Sequence, residues 1–521
     1  MREKPSSFLL PDAASVTAVV EFLNDRTDLG GNAPSRVVRR YYDTFDARLF
    51  KKGYILSGDR RGRSWDRMLT DLAEVVLIAS ETPSDSEPSS PSLSTGPLQS
   101  FLDPITAPRA LLPLLQLEHE IRRLSLLDKE QKIVVRLTLE MPGRILDLRD
   151  NTFHPLPGRV TIEPLKGYYK SATKLRKALE KILPIQEASV SGFMLALQSA
   201  GRRPVEYTSK PTLQLAPRQP AAEALRVVLQ QLFMTMEANE AGIISGHDTE
   251  YLHDFRVAVR RTRSLMGQLK RVLPVDAITR FQQAFKWLGD LTGPTRDLDV
   301  FLIWMEKYDR LLASGPDEAL LPMKAFIAGK QKDAQKALVS HLTSVRYTRF
   351  KEDWRIFLTT PWTTAPDADR PVLQVVSAKI WKLYGKARKA GTGLKPSSKA
   401  AAFHRLRIIC KKLRYLMELF RSLYQEEEIS RLITNLKGLQ DNLGDYNDCD
   451  FQQLTLTRYA EEMRANATLP PETEYALDWL VADLLERQQT TRTAFAKRFT
   501  LFAGKENRRL VKALFHPSRM P

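Results

Sequence analysis

An internal repeat constrains this chain more than any other feature. His253-Asp-Phe-Arg256-Val-Ala-Val-Arg260-Arg261-Thr-Arg263 recurs as His404-Arg-Leu-Arg407-Ile-Ile-Cys-Lys411-Lys412-Leu-Arg414, an offset of 151 residues (404 minus 253). The same register carries Gly293-Pro-Thr-Arg296-Asp297-Leu-Asp299 onto Gly444-Asp-Tyr-Asn447-Asp448-Cys-Asp450. It also maps Phe281, Phe285 and Leu288 onto Leu432, Leu436 and Leu439, and Arg280 and Lys286 onto Arg431 and Lys437. A repeated unit packs against its copy to bury what it cannot bury alone. The expectation is two similar helical halves, about 220–360 and 371–515, related by a pseudo-twofold, with matching stripes facing one shared groove.

Leu, Ala, Lys, Arg, Gln and Glu dominate this region and strand-type alternation is missing, so it reads as all-α. At about 100° per residue, His253, Arg256, Arg260 and Arg263 fall within roughly 80° of one another. Phe255, Ala258, Thr262, Leu265 and Leu269 form a stripe on nearly the opposite face. The second copy repeats both: His404, Arg407, Lys411 and Arg414 against Leu406, Ile409, Leu413, Leu416 and Phe420. Arg261 and Lys412 flank the basic stripe.

The apolar stripe is core. A solvated basic face usually mixes its signs, whereas this one lacks acidic partners at i+4, and like charges at that spacing repel. Repetition of that cost in both halves points to an anionic ligand that neutralises it. Arginine forks suit phosphate oxygens. Two readings fit His253 and His404: a helix-start hydrogen bond, or a phosphate contact that strengthens on mild acidification. Asp297, Asp299, Asp448 and Asp450 follow a glycine expected to end a helix. They read as N-caps of the next helix, favoured by its dipole, or as partners that fix the stripe arginines. A divalent metal held across the halves is the sharper alternative. No metal or cofactor is assigned.

Charge agrees with a polyanionic partner. The 521 residues carry 79 Lys+Arg against 61 Asp+Glu, a net charge of +18. Two cysteines, Cys410 and Cys449, are too few for a disulfide framework and suit a reducing compartment. No apolar h-region opens the chain and no run is long enough to span a bilayer, so the expectation is a cytoplasmic protein without membrane insertion. No Walker-type loop, zinc spacing or nucleophile elbow occurs.

Residues 201–220 contain four prolines and mark the main boundary: 1–205 as one domain, 206–219 as linker, 220–515 as the helical domain. The first domain reads as α+β. Helices are expected at 13–24 and 170–183, and strands at Val37–Tyr42, Lys132–Leu139, Ile145–Leu148 and Arg159–Ile162. Residues 81–99, rich in Ser and Pro, read as a disordered loop.

The motifs HDFRVAVRRTRS, GPTRDLDVF, FHRLRIICKKLRYLMELF and LKGLQDNLGDYND resemble the CHAD family, the conserved-histidine α-helical domain, over about 215–515. The resemblance implies two helical bundles related by pseudo-symmetry and a basic central groove that binds inorganic polyphosphate. It implies phosphate contacts from His253, Arg256, Arg260, Arg263, His404, Arg407, Lys411 and Arg414, with Arg261, Lys412, Lys286 and Lys437 as secondary candidates. Spacing alone reaches only an elongated polyanion.

The first domain resembles a CYTH or triphosphate-tunnel domain through Arg40-Tyr41-Tyr42-Asp43-Thr44, Leu49-Phe50-Lys51-Lys52-Gly53 and Ile162-Glu163. That family opens on a Glu-x-Glu-x-Lys strand. Here the stretch is Pro5-Ser-Ser-Phe-Leu-Leu-Pro11, without a carboxylate, and Leu56-Ser-Gly-Asp-Arg60 replaces the usual Leu-Arg-x-Arg. Magnesium ligands are therefore missing, and the domain reads as a degenerate, non-catalytic tunnel. The expected function is non-catalytic polyphosphate binding, with association with polyphosphate granules. Metal-dependent tri- or polyphosphate hydrolysis, nucleic-acid binding and a protein-interaction scaffold are the alternatives. No specific nucleic acid is expected, since the repeated helices lack an aromatic stacking platform. Oligomeric state stays open.

Overall fold

The computed structural model describes residues 6–517, apart from 27, 32, 63, 75–76, 85–95, 183–190, 211–212, 312–317, 363–364 and 396. The chain separates into two compact units, Met1–Ser209 and Lys210–Pro521.

The first unit is an antiparallel sheet with helices. Its strands are β1 (Ser6–Leu10), β2 (Leu29–Gly31), β3 (Ser35–Thr44), β4 (Tyr54–Arg61), β5 (Ser64–Asp71), β6 (Leu77–Ser84), β7 (Leu111–Leu127), β8 (Ile133–Glu140), β9 (Gly143–Asp147), β10 (Thr152–Leu156) and β11 (Gly158–Pro164). Its helices are α1 (Ala13–Asn24), α2 (Arg48–Lys51), α3 (Pro97–Thr106), α4 (Tyr169–Ile182) and α5 (Gly192–Ser199). Strand order is β1-β11-β8-β7-β3-β4-β5-β6. The stretch without carboxylates, β1, pairs with β11 from Ser6↔Ile162 to Leu10↔Gly158.

Apolar cores among the described residues hold the sheet; in one, Leu98 and Leu102 of α3 pack with Tyr42, Leu56 and Leu69. Val16, Val19 and Leu23 of α1 and Ala172, Leu175 and Leu179 of α4 pack on Leu137, Leu139, Val160 and Ile162. Phe193, Ala196 and Leu197 of α5 pack on Tyr41, Leu115, Leu117 and Ile145. Each large side chain buried this way contributes about 1.5–3 kcal/mol. The stretch read as a loop over 81–99 is shorter at both ends: residues 81–84 belong to β6 and 97–99 to α3, and 85–95 lie outside the described residues. Gly96 precedes a helix with Pro97 in its first turn, where a missing N–H costs nothing.

The second unit is helical, in two series. The first is α6 (Ala221–Ser245), α7 (Thr249–Gln268), α8 (Val275–Leu311), α9 (Leu321–Leu342) and α10 (Val345–Thr359). The second is α11 (Val372–Thr392), α12 (Ala400–Leu419), α13 (Glu426–Ala465), α14 (Pro471–Ala503) and α15 (Lys505–Phe515). Short 3-10 turns follow α7 (Lys270–Val272) and α12 (Arg421–Leu423) at equivalent places. The series begin side by side: Pro220 and Pro371, equivalent positions, form an isolated bridge. Part of the stretch read as linker belongs here as well. Leu215 is buried, and its N–H donates to Ser422 Oγ at 3.2 Å. Tyr207, also within that stretch, stacks on Phe45 in the first unit at 4.5 Å.

The long helices correct the expectation of a break at Gly293 and Gly444. α8 runs 37 residues through Gly293-Pro294, and α13 runs 40 residues through Gly444. Glycine and proline inside a helix cost about 1 and 3 kcal/mol. Past the Gly-Pro step, Leu298, Phe301, Met305 and Tyr308 stay buried and share a core with Leu456, Tyr459, Met463, Leu477 and Leu480 of α13 and α14. That burial exceeds the local penalty. It also joins the far ends of the two series in one core.

Candidate polyanion-binding groove

α7 begins at an N-cap, Asp248, whose carboxylate accepts from Glu250 and Tyr251 N–H. Phe255, Ala258, Thr262 and Leu265 are buried on one face. This leaves Arg256, Arg260 and Arg263 along the other, beside α8. α12 repeats the arrangement with Phe403, Leu406, Cys410 and Leu413 inside.

The two basic stripes meet. Lys411 has Arg407, Arg260 and Arg414 as its cationic neighbours, so equivalent positions on α7 and α12 face one another across the halves. Burial, with Arg407, Arg260 and Arg414 beside it, lowers the Lys411 ammonium to about 8 against the pull of Asp448. Burial, with Arg260, Arg296 and Arg263 beside it, also lowers the Arg256 guanidinium to about 10 against the pull of Asp297. Cations that depress Lys411 and Arg256 in this way mark a site with an excess of positive charge. The Nε of Arg256, Arg260, Arg407 and Arg414 is buried without a hydrogen-bond partner among the described residues.

Some donors are held by the fold. Arg256 Nη1 donates to Gly289 O at 3.2 Å and Thr292 Oγ1 at 3.0 Å. A Cβ at Gly289 would sit 2.7 Å from Arg263 Nη1, so the glycine leaves room for that guanidinium. The second half has Gln440 and Leu443 at these positions, and its stripe is anchored by carboxylates. Arg407 lies 3.6 Å from Asp448, and Arg414 Nε lies 3.5 Å from Glu418, an acidic i+4 partner that corrects the expectation of none along the stripe.

The histidines sit in opposite hydrogen-bonding settings. Arg296 Nη2 donates to His253 Nδ1 at 3.0 Å, which requires that atom to be unprotonated. Arg296 also donates to Thr249 O at 2.9 Å. In the other half Asn447 replaces Arg296, and His404 Nδ1 donates to its Oδ1 at 2.9 Å. Arg296 is a groove residue that the sequence reading passed over, although the repeat register had already placed it opposite Asn447.

The four aspartates are not N-caps. They lie inside the continuous helices α8 and α13, so no free N–H faces them. Asp297 and Asp448 face Arg256 and Arg407 at equivalent positions. Burial raises both carboxyls, against the pull of Arg256, Arg260 and Arg296 on Asp297 and of Arg407 and Lys411 on Asp448. Asp299 accepts from Gln331 Nε2 at 2.8 Å and Asp450 from Gln488 Nε2 at 3.2 Å, tying each long helix to the next. Among the described residues no group of acidic, histidine and cysteine side chains is arranged to hold a metal ion.

The secondary candidates are not brought into this cluster. Arg261 is buried, donates to Glu418 at 2.8 Å and stacks on Tyr415, joining α7 to α12. Lys412 borders α11, near Lys379. Lys286 and Lys437 are exposed, one turn from Gly289 and Gln440.

In the first unit the charged interior is internally paired. Arg39 donates to Asp59 at 2.6 and 2.8 Å, and Arg159 donates to Glu140. Glu74 accepts from Tyr41 Oη at 2.8 Å and from the Gly192 N–H at the start of α5 at 2.6 Å. Burial alone would raise the Glu140 carboxyl, but Arg159 holds it below the usual range.

No helix among the described residues is long and apolar enough to cross a membrane. No curated protein matches the sequence. A crystal structure of the CHAD domain from the plant Ricinus communis is similar at 26% identity and TM-score 0.47, covering 56% of this chain and 95% of that one. PptA from Streptomyces chartreusis is similar at 16% identity and TM-score 0.43, covering 54% and 99%. Residues 227–457 match the family model of the CHAD domain, and the helical unit of this chain carries a CHAD domain.

Proposed function

We propose that the groove between α7 and α12 binds inorganic polyphosphate and holds it without cleaving it. The observation that carries this reading is the set of buried, unpartnered guanidinium Nε groups of Arg256, Arg260 and Arg407 around the depressed Lys411. A chain of phosphates brings one negative charge per unit and oxygens on every side, which meets a stripe of forks better than a single anion does. The family resemblance supports the same ligand. Asp297 and Asp448 are engaged with arginines, which argues against a metal-dependent hydrolase here. The internally paired arginines of the first unit fit a non-catalytic role for it, as a degenerate CYTH-like domain. Binding of this kind would place the protein on polyphosphate-rich bodies.

The test is calorimetric titration of the full chain with long-chain polyphosphate, beside a variant carrying Arg256→Ala, Arg260→Ala, Arg407→Ala and Lys411→Ala. Losing several charge-assisted contacts is expected to weaken binding by about a hundredfold or more. Equal binding by a folded variant rejects the groove, and magnesium-dependent phosphate release by the wild type rejects the non-catalytic reading.

A further inference from the structure

The two halves differ in charge. Residues 371–425 hold thirteen Lys and Arg and one carboxylate, Glu418, whereas the equivalent 220–274 hold seven and six. The contrast is concentrated in equivalent helices. α6 carries Glu223, Glu237 and Glu240 against Arg226, and α11 carries five cations and no carboxylate. Glu237 and Glu240 are used by α10, through Arg355 and through Lys351 at 2.6 Å.

On α11, Lys379, Lys382, Lys386 and Lys389 fall within about 80° along roughly 15 Å of helix. Val376, Ile380, Leu383 and Ala387 are buried on a different face. Lys379 is half-buried; burial lowers its ammonium, and so do Lys382, Lys386, Lys412 of α12 and Lys270. Lys270 follows the α7 stripe. It opens the 3-10 turn just past the C-terminal end of α7, near Lys379. The cluster therefore adjoins one end of the groove.

The equivalent place on the other side is neutral. There Arg261 stands for Lys412 and is held at 2.8 Å by Glu418, while Val228 stands for Lys379. The position equivalent to Glu418 beside Lys412 is Gly267, so no carboxylate answers the lysines. None of Lys270, Lys379, Lys382, Lys386 and Lys412 forms an ion pair among the described residues.

We infer that Lys270, Lys379, Lys382, Lys386 and Lys412 form a second phosphate lane at one end of the groove, which takes the continuation of a long polyphosphate chain. The inference rests on the polyphosphate reading of the groove and adds a chain-length preference and a direction of exit. A chain that only fills the groove does not reach the lane; a longer one gains its lysines.

The experiment compares wild type with Lys379→Ala/Lys382→Ala/Lys386→Ala by titration with a short polyphosphate that spans the groove alone and with one several times longer. These side chains lie off the core, and circular dichroism checks the fold. The variant is expected to bind the short chain as wild type does and the long chain about tenfold or more weakly. Its salt-dependence slope for the long chain is expected to fall by about two, at roughly 0.7 for each lost phosphate contact. Equal loss for both chains, or no loss for the long one, overturns the lane and leaves the groove standing. A wild type that binds neither chain overturns the polyphosphate reading and the lane with it.

Discussion

Buried arginines occur in both units, and their surroundings differ. In the sheet unit Arg39 and Arg159 each face a carboxylate of the same unit, Asp59 and Glu140. In the helical unit Arg256, Arg260, Arg407 and Arg414 crowd one another and Lys411, and these cations outnumber the carboxylates beside them, Asp297, Asp448 and Glu418. A paired guanidinium is part of the scaffold, and removing its partner strands a charge in low dielectric. A crowded one is destabilising until an anion arrives. Burial and residue type are the same; the balance of cations and carboxylates around them separates structure from site.

The comparison breaks most visibly at Glu140. Glu140→Ala is expected to destabilise the sheet unit by about 3–5 kcal/mol, read from denaturant unfolding, because Arg159 is left buried without its partner. Polyphosphate binding should be unchanged. If stability is also unchanged, the pair is not structural and the contrast fails.

Lys411 sharpens the other side. Its folded value, about 8, lies below the unfolded 10.5, so its charged form is disfavoured in the free fold. That cost is fully present below pH 8 and fades as pH rises toward 10.5. Lys411→Met is therefore expected to gain about 1 kcal/mol at neutral pH while losing affinity. A bound polyanion favours the ammonium, so above pH 8 the free protein must take up a proton to bind. Wild-type affinity should fall as pH rises through 8, by at most about tenfold per pH unit for one linked proton. Lys411→Arg should flatten the profile in calorimetry; an unchanged profile would remove Lys411 from the site.

The smallest effect separates the two histidines. His404 is bonded to the neutral amide of Asn447, whereas His253 is bonded to the Arg296 guanidinium. His253→Ala releases the Arg296 guanidinium for the ligand, so it should weaken polyphosphate binding less than His404→Ala does, by a few-fold in calorimetry. The reverse result would invert the assignment.

Much of the fold was legible because helical periodicity is local. Phe255, Leu265, Leu406 and Leu413 announce a buried face by spacing alone, and the stripes opposite them follow from the same 3.6-residue turn. β7 was not legible. Residues 111–127 are rich in Leu, Glu and Arg, which favour helix, and include Pro113; only pairing with β3 and β8 makes their alternate burial visible. The N-cap reading of Asp297 and Asp448 failed for a related reason. Gly293 and Pro294 are strong local stop signals, and the packing of Phe301, Met305 and Tyr308 beyond them overrode the signal.

The repeat, the apolar stripe of each helix, the basic stripe opposite it and the excess of positive charge can all be read before any packing is known. Each is a matter of residue type at fixed spacing. Only the tertiary structure decided which cations are spent. Arg261 and Lys412 occupy the same repeat position, yet one is closed by Glu418 and the other stands among lysines. His253 and His404 likewise share a position and meet opposite partners. Coulomb energy depends on distances between residues far apart in the chain, and those distances are set when the helices pack.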